Sequence, residues 1–167
     1  MMAVQRQRKR RFATILAGFA MLGATLAVTG LRAVASTNEQ IVSDPRSGLA
    51  ISGYDPVAYF TDGQARLGLA TLEQSYSGVV WRFRNEGNRA AFADDPDVYM
   101  PRYGGYDPVA VAQGKSVPGH PLFWVLADNK LYLFYDEKTR ATFATDPRRY
   151  AADAESKWAS VRAQLAR

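Results

Sequence analysis

The sequence predicts an α+β fold of two fused β-hairpin-plus-helix units followed by a C-terminal helix. Three observations predict it. Gly53-Tyr54-Asp55-Pro56-Val57-Ala58 recurs as Gly105-Tyr106-Asp107-Pro108-Val109-Ala110, an offset of 52 residues. Phe83, Arg89, Phe92, Asp95, Pro96 and Tyr99 reappear in the same order as Phe134, Arg140, Phe143, Asp146, Pro147 and Tyr150, at an offset of 51. In both stretches two β-rich runs flank a turn pair and give way to a helical segment.

The chain opens on what reads as an export leader, residues 1–35. Arg6, Arg8, Lys9, Arg10 and Arg11 form a basic start, residues 12–31 carry no charge, and Ala33-Val34-Ala35 supplies the small residues of a cleavage site. Cleavage after Ala35 leaves a protein starting at Ser36. The alternative is an uncleaved N-terminal anchor, because twenty uncharged residues are long enough to span a bilayer. The expected location is therefore exported and periplasmic, or else membrane-anchored at the N-terminus. Contact with a membrane is expected only if the leader stays.

The leader also explains the basic pI of about 9.6. Six of the 21 basic residues lie in it and all 16 acids lie after it, so the remainder carries 15 − 16 = −1. That near-neutral balance excludes nucleic acid as a partner. The absence of Cys excludes disulfides, thiol redox chemistry and thiolate metal sites. The fold must rest on its core, which the 132 residues after the leader can supply by burying roughly two-thirds of their unfolded surface.

Residues 36–50 read as a polar lead-in. The domain proper is expected at 51–167, as units 51–102 and 103–150 with a terminal helix over 151–166. In the first unit, strands at 71–76 and 79–83 flank Ser77-Gly78. In the second, strands at 123–126 and 131–134 flank Asp128-Asn129, a good turn pair. Helices are expected at 86–93 and 137–144, each followed by an Asp-Pro helix start. Trp158, Val161 and Leu165 form one stripe of the terminal helix. Five of the eight prolines follow an aspartate, at Asp44, Asp55, Asp95, Asp107 and Asp146. The Asp side chain accepts from the orphan N–H groups of a helix start, and Pro supplies the helical φ without needing to donate.

These residues carry a family resemblance. Asp55-Pro56-Val57, Trp81-x-Phe83 and Phe92-x-x-Asp95-Pro96-x-x-Tyr99, with their second-unit counterparts, are similar to the frame of the YHS domain, and the likeness covers roughly residues 50–150. The run 51–60 and the central Tyr103-Gly104-Gly105-Tyr106 further resemble a group of exported YHS-related proteins. The resemblance implies a small metal- or ligand-binding fold. The family's thiolate positions are Ala58, Arg84 and Asn88 here, and Ala110, Tyr135 and Thr139 in the second unit. Its His-Ser pair falls near Glu73 and Gln74, and the reactive position after Gly-Gly-Tyr is Asp107. The likeness therefore speaks for the frame, and no ligand or redox residue carries over from it.

Two candidate sites remain. If the repeated segments meet at a pseudo-twofold axis, Tyr54, Asp55, Tyr106 and Asp107 ring a small polar-aromatic cleft, with Lys115 and His120 on nearby loops. His120, the sole histidine, is either a solvated loop imidazole or one ligand of a nitrogen-oxygen metal site completed by Asp55 or Asp107. The cofactor is left unknown, with a metal ion as one candidate. No Ser-His-Asp arrangement and no phosphate-binding loop is visible, and Tyr103-Gly104-Gly105-Tyr106 reads as a tight turn between the units. The expected role is a binding or accessory module, not an enzyme, recognising a small ligand or metal ion between the units. The alternative is a structural or protein-interaction module that has lost the ancestral site.

Overall fold

A computed structural model describes residues 39–165; the leader and its cleavage site lie outside the described residues. Six α-helices and two two-stranded antiparallel sheets are formed among the described residues. The chain runs from a left-handed turn at Ile51–Gly53 into α1 (Ala58–Thr61), β1 (Leu69–Tyr76), β2 (Val79–Phe83), α2 (Glu86–Asp94) and α3 (Pro96–Tyr99). A second turn, Arg102–Gly105, leads to α4 (Pro108–Val111), β3 (His120–Ala127), β4 (Lys130–Phe134), α5 (Glu137–Ala144) and α6 (Pro147–Ala163).

Each hairpin closes on two residues at positive φ, Ser77 and Gly78 (51° and 77°) and Asp128 and Asn129 (49° and 54°), the backbone a two-residue hairpin loop needs. Each first strand slips its pairing once, between Leu69 and Glu73 in β1 and between His120 and Trp124 in β3. Glycine precedes each slipped strand for a steric reason. A Cβ on Gly68 would lie 2.5 Å from the Arg82 carbonyl carbon, and one on Gly119 would lie 2.6 Å from the Gly105 carbonyl oxygen.

The hairpins differ in burial. In β2 only Val79, Trp81 and Phe83 are buried, whereas in β4 Leu131, Tyr132, Leu133 and Phe134 all are. Alternation along β4 sends Leu131 and Leu133 into a core with Ile51, Val57, Tyr59, Trp81, Phe83 and Phe92. Tyr132 and Phe134 enter another with Tyr103, Tyr106, Val111, Phe143 and Val161. One strand thus walls both cores. Each large side chain buried there stabilises the fold by roughly 1.5–3 kcal/mol.

The structure corrects two boundaries. Residues 39–50 are not a polar lead-in: Ile41 and Ala50 are buried, and the segment bonds to both halves. The Val42 amide donates to the Gly104 carbonyl at 2.8 Å, and the Ala50 amide donates to the Val80 carbonyl at 2.8 Å. The expected terminal helix at 151–166 instead starts at Pro147 and ends at Ala163. The difference from the first half lies in one proline. Pro101 holds Met100 extended (φ −63°, ψ 139°) and stops α3 after one turn, while no proline follows Pro147 and the helix runs on for 17 residues.

No helix among the described residues is long and apolar enough to cross a membrane.

Candidate functional site

The repeated aspartates are structural. Asp55 and Asp107 expose no surface. Asp55 Oδ1 accepts from the Val57 and Ala58 amides at 2.8 and 3.3 Å, and its Oδ2 accepts from the Arg84 amide at 2.8 Å and the Asn88 side chain at 2.7 Å. Asp107 Oδ1 accepts from the Val109 and Ala110 amides at 2.8 and 3.2 Å, and its Oδ2 from the Tyr135 amide at 2.9 Å. Each carboxylate caps a helix start and ties it to the end of a hairpin. Neither can face a ligand.

The other expected site residues do not gather round them. Tyr54 is half-buried, with its backbone bridged to Leu67. Tyr106 is buried and donates its hydroxyl to the Glu39 carbonyl, and burial pushes that phenol above its ordinary pKa. Lys115 is exposed, 3.4 Å from Gln113 Oε1. The expected cleft of Tyr54, Asp55, Tyr106 and Asp107 is therefore replaced by two buried caps. His120 is not in a loop but is the first residue of β3, exposed, with Nδ1 accepting from the Leu122 amide at 3.2 Å. Among the described residues no three His, Asp or Glu side chains converge as a metal site. Asp55 and Asp107 are fully buried while His120 is exposed, and the three form no such group.

A groove does form elsewhere, where the tip of the β1–β2 hairpin, the end of α3 and the face of α6 come together over the 39–50 segment. It encloses about 280 Å³. Tyr76 and Trp81 come from the hairpin, Asp97 and Met100 from α3 and its end, Gln40 and Ile41 from the incoming segment, and Trp158 and Arg162 from α6. Two neighbouring hollows, of about 550 and 390 Å³, share Trp158 with it. Trp158 thus lines all three hollows. Its ring is held by Tyr103 at 5.7 Å and 63°, and by Tyr106 at 6.2 Å and 42°.

In sequence Trp158 belongs to a packing stripe, and Gln40, Asp97, Met100 and Arg162 carry no motif. The available signal is a tryptophan on a mostly polar helix with Arg162 one turn on, at i+4. Arg162 Nε donates to Gln40 Oε1 at 2.9 Å, which holds the guanidinium beside the groove. Asp97 makes no hydrogen bond or ion pair among the described residues and is exposed at the rim. Arg102, on the far side of Trp158, pairs with Glu155 at 2.8 Å, and its Nε is buried without a partner among the described residues. The groove offers aromatic surface, one thioether and separated charges, an arrangement suited to holding a small molecule.

No protein-family model matches the chain, and no curated protein or solved structure is significantly similar to it.

Proposed function

We propose that this protein is an exported, YHS-like binding module, built on a duplicated hairpin-helix unit, that holds a small ligand in the groove around Trp158. The observation that carries the reading is the groove itself. It lies at the junction of elements from both halves, and its Trp158 ring is held by an edge-to-face contact with Tyr103 and a tilted one with Tyr106. Its volume is near the lower end of small-molecule sites, which suits a metabolite-sized ligand.

Duplication is supported by details beyond the sequence identities. Asp55 and Asp107 each take two amides of the following helix and one from the residue after the hairpin. Ile51, Ser52 and Gly53 (φ 42°, 55° and 78°) and Tyr103, Gly104 and Gly105 (φ 55°, 62° and 89°) are two runs of three left-handed residues, at an offset of 52. A left-handed run containing Ile or Tyr is strained, so its appearance at both places argues for one inherited turn.

A second reading, a protein-interaction module, draws on exposed Leu67, Leu69 and Leu122, each more than half accessible.

Tryptophan fluorescence and melting, recorded across a metabolite panel, test the binding reading. We expect at least one compound that shifts both signals in the wild type and loses affinity in Trp158→Phe. A panel with no effect on either signal, together with self-association that is lost in Leu67→Ser/Leu69→Ser, favours the interaction reading.

A further inference from the structure

Resting on the binding reading above, we infer that the ligand of the Trp158 groove is a zwitterion of the α-amino-acid type with an apolar side chain. The groove carries one acid and one base. Asp97 and Arg162 line the same 280 Å³ space, yet they do not pair with each other. Asp97 has no partner among the described residues. Arg162 is steered by Gln40 through Nε alone, so the two Nη atoms, the edge that binds a carboxylate in a fork, make no bond among the described residues.

Opposite charges on one ligand follow from charge complementarity. Asp97 and Arg162 line the same groove, so a ligand seated there meets both. A ligand with a single charge complements only one of them. A ligand with an ammonium and a carboxylate satisfies both rims at once. Tyr76, Met100 and Trp158 line the same groove and offer surfaces that accept an aliphatic or aromatic side chain. The volume of the groove itself admits a single amino acid.

Titration calorimetry on the full chain tests this with L-phenylalanine, L-leucine and L-methionine. Each is compared with its N-acetyl form, which removes the ammonium, and its carboxamide, which removes the carboxylate. At least one free amino acid should bind, and each blocked form of it should bind at least about fivefold more weakly. Asp97→Asn should abolish the preference over the N-acetyl form and keep the preference over the amide. Arg162→Gln should do the reverse. Both positions are exposed, so both variants are expected to fold.

Equal binding of free and blocked forms overturns the inference. So does silence from all three amino acids when another compound perturbs Trp158 fluorescence, an outcome that leaves the groove reading standing. Silence from every compound removes both.

Discussion

Asn88 donates its side-chain amide to Oδ2 of Asp55 at 2.7 Å, a bond with no counterpart at Asp107. The position matching Asn88 is Thr139, which turns instead to the Asp136 capping box. Asp55 therefore meets four donors and Asp107 three, and this difference ranks two otherwise similar substitutions. In Asp55→Ala, the Val57, Ala58 and Arg84 amides and the buried Asn88 side chain all lose their acceptor. In Asp107→Ala, the Val109, Ala110 and Tyr135 amides lose theirs. We predict a loss of about 4 kcal/mol for Asp55→Ala and about 1 kcal/mol less for Asp107→Ala, measured by urea denaturation. Equal losses, or the reverse order, would show that the Asn88 bond contributes nothing distinctive.

Gly104 is where the 39–50 segment is clamped. Its φ is 62°, its carbonyl accepts from Val42, and a Cβ there would run into the Gln40 carbonyl oxygen. The obstacle is backbone and cannot swing aside. Gly114 shares a positive φ, 75°, but faces open space. Gly114→Ala should cost about 1 kcal/mol from backbone strain alone, and Gly104→Ala more than about 2 kcal/mol, since the segment must also shift. Faster exchange of the Val42 amide in Gly104→Ala, but not in Gly114→Ala, would locate the damage.

The parts of this fold legible in sequence are those set by local chemistry. Ser77-Gly78 and Asp128-Asn129 marked their turns because few other pairs reach those φ values, and β2 and α5 have the bounds their patterns predicted. The Asp-Pro rule located helix starts at Asp55, Asp107 and Asp146. It holds at Asp95 too, where α3 starts at Pro96 although the Asp95 side chain makes no cap bond, whereas Asp44 closes a turn without a helix. What depends on distant partners was not legible. The Leu-Tyr-Leu-Phe run of β4 looks like any short apolar strand until two cores are seen against its two faces. Gln40 and Asp97 are far from Trp158 in sequence, and only the fold makes them its neighbours; Arg162, four residues on along α6, is its neighbour by helical spacing. Conversely, the GYDPVA motif stood out because buried caps constrain every residue, a structural reason that resembles a functional one.

His120 should prove dispensable. Its ring is exposed, its one hydrogen bond is local, and Phe123 at 5.5 Å is its ring neighbour. His120→Ala should change stability by less than about 0.5 kcal/mol, and zinc or copper(II) should not raise the melting temperature of either form. A metal-dependent rise in the wild type that vanishes in the variant would restore the metal site.

Burial holds the phenols of Tyr59, Tyr103, Tyr106 and Tyr132 above their ordinary pKa of 10.0, and desolvation is the leading cause in each. The sign of the consequence follows from the unfolded chain. Above about pH 10 unfolded tyrosines release protons that the folded ones retain, so alkali favours unfolding. Stability should be constant with respect to these groups below that pH and fall as pH rises through it. Tyr59 is the sharpest test, because it exposes no surface and donates to the Pro121 carbonyl at 2.9 Å. Tyr59→Phe removes both the hydrogen bond and the titrating group. It should be about 1 kcal/mol less stable than the wild type at neutral pH and lose stability less steeply in alkali. Urea midpoints from about pH 7 to 11 should therefore converge for the two proteins. Parallel curves would mean that Tyr59 ionises as readily in the fold as in the unfolded chain, and that the buried phenol contributes packing alone.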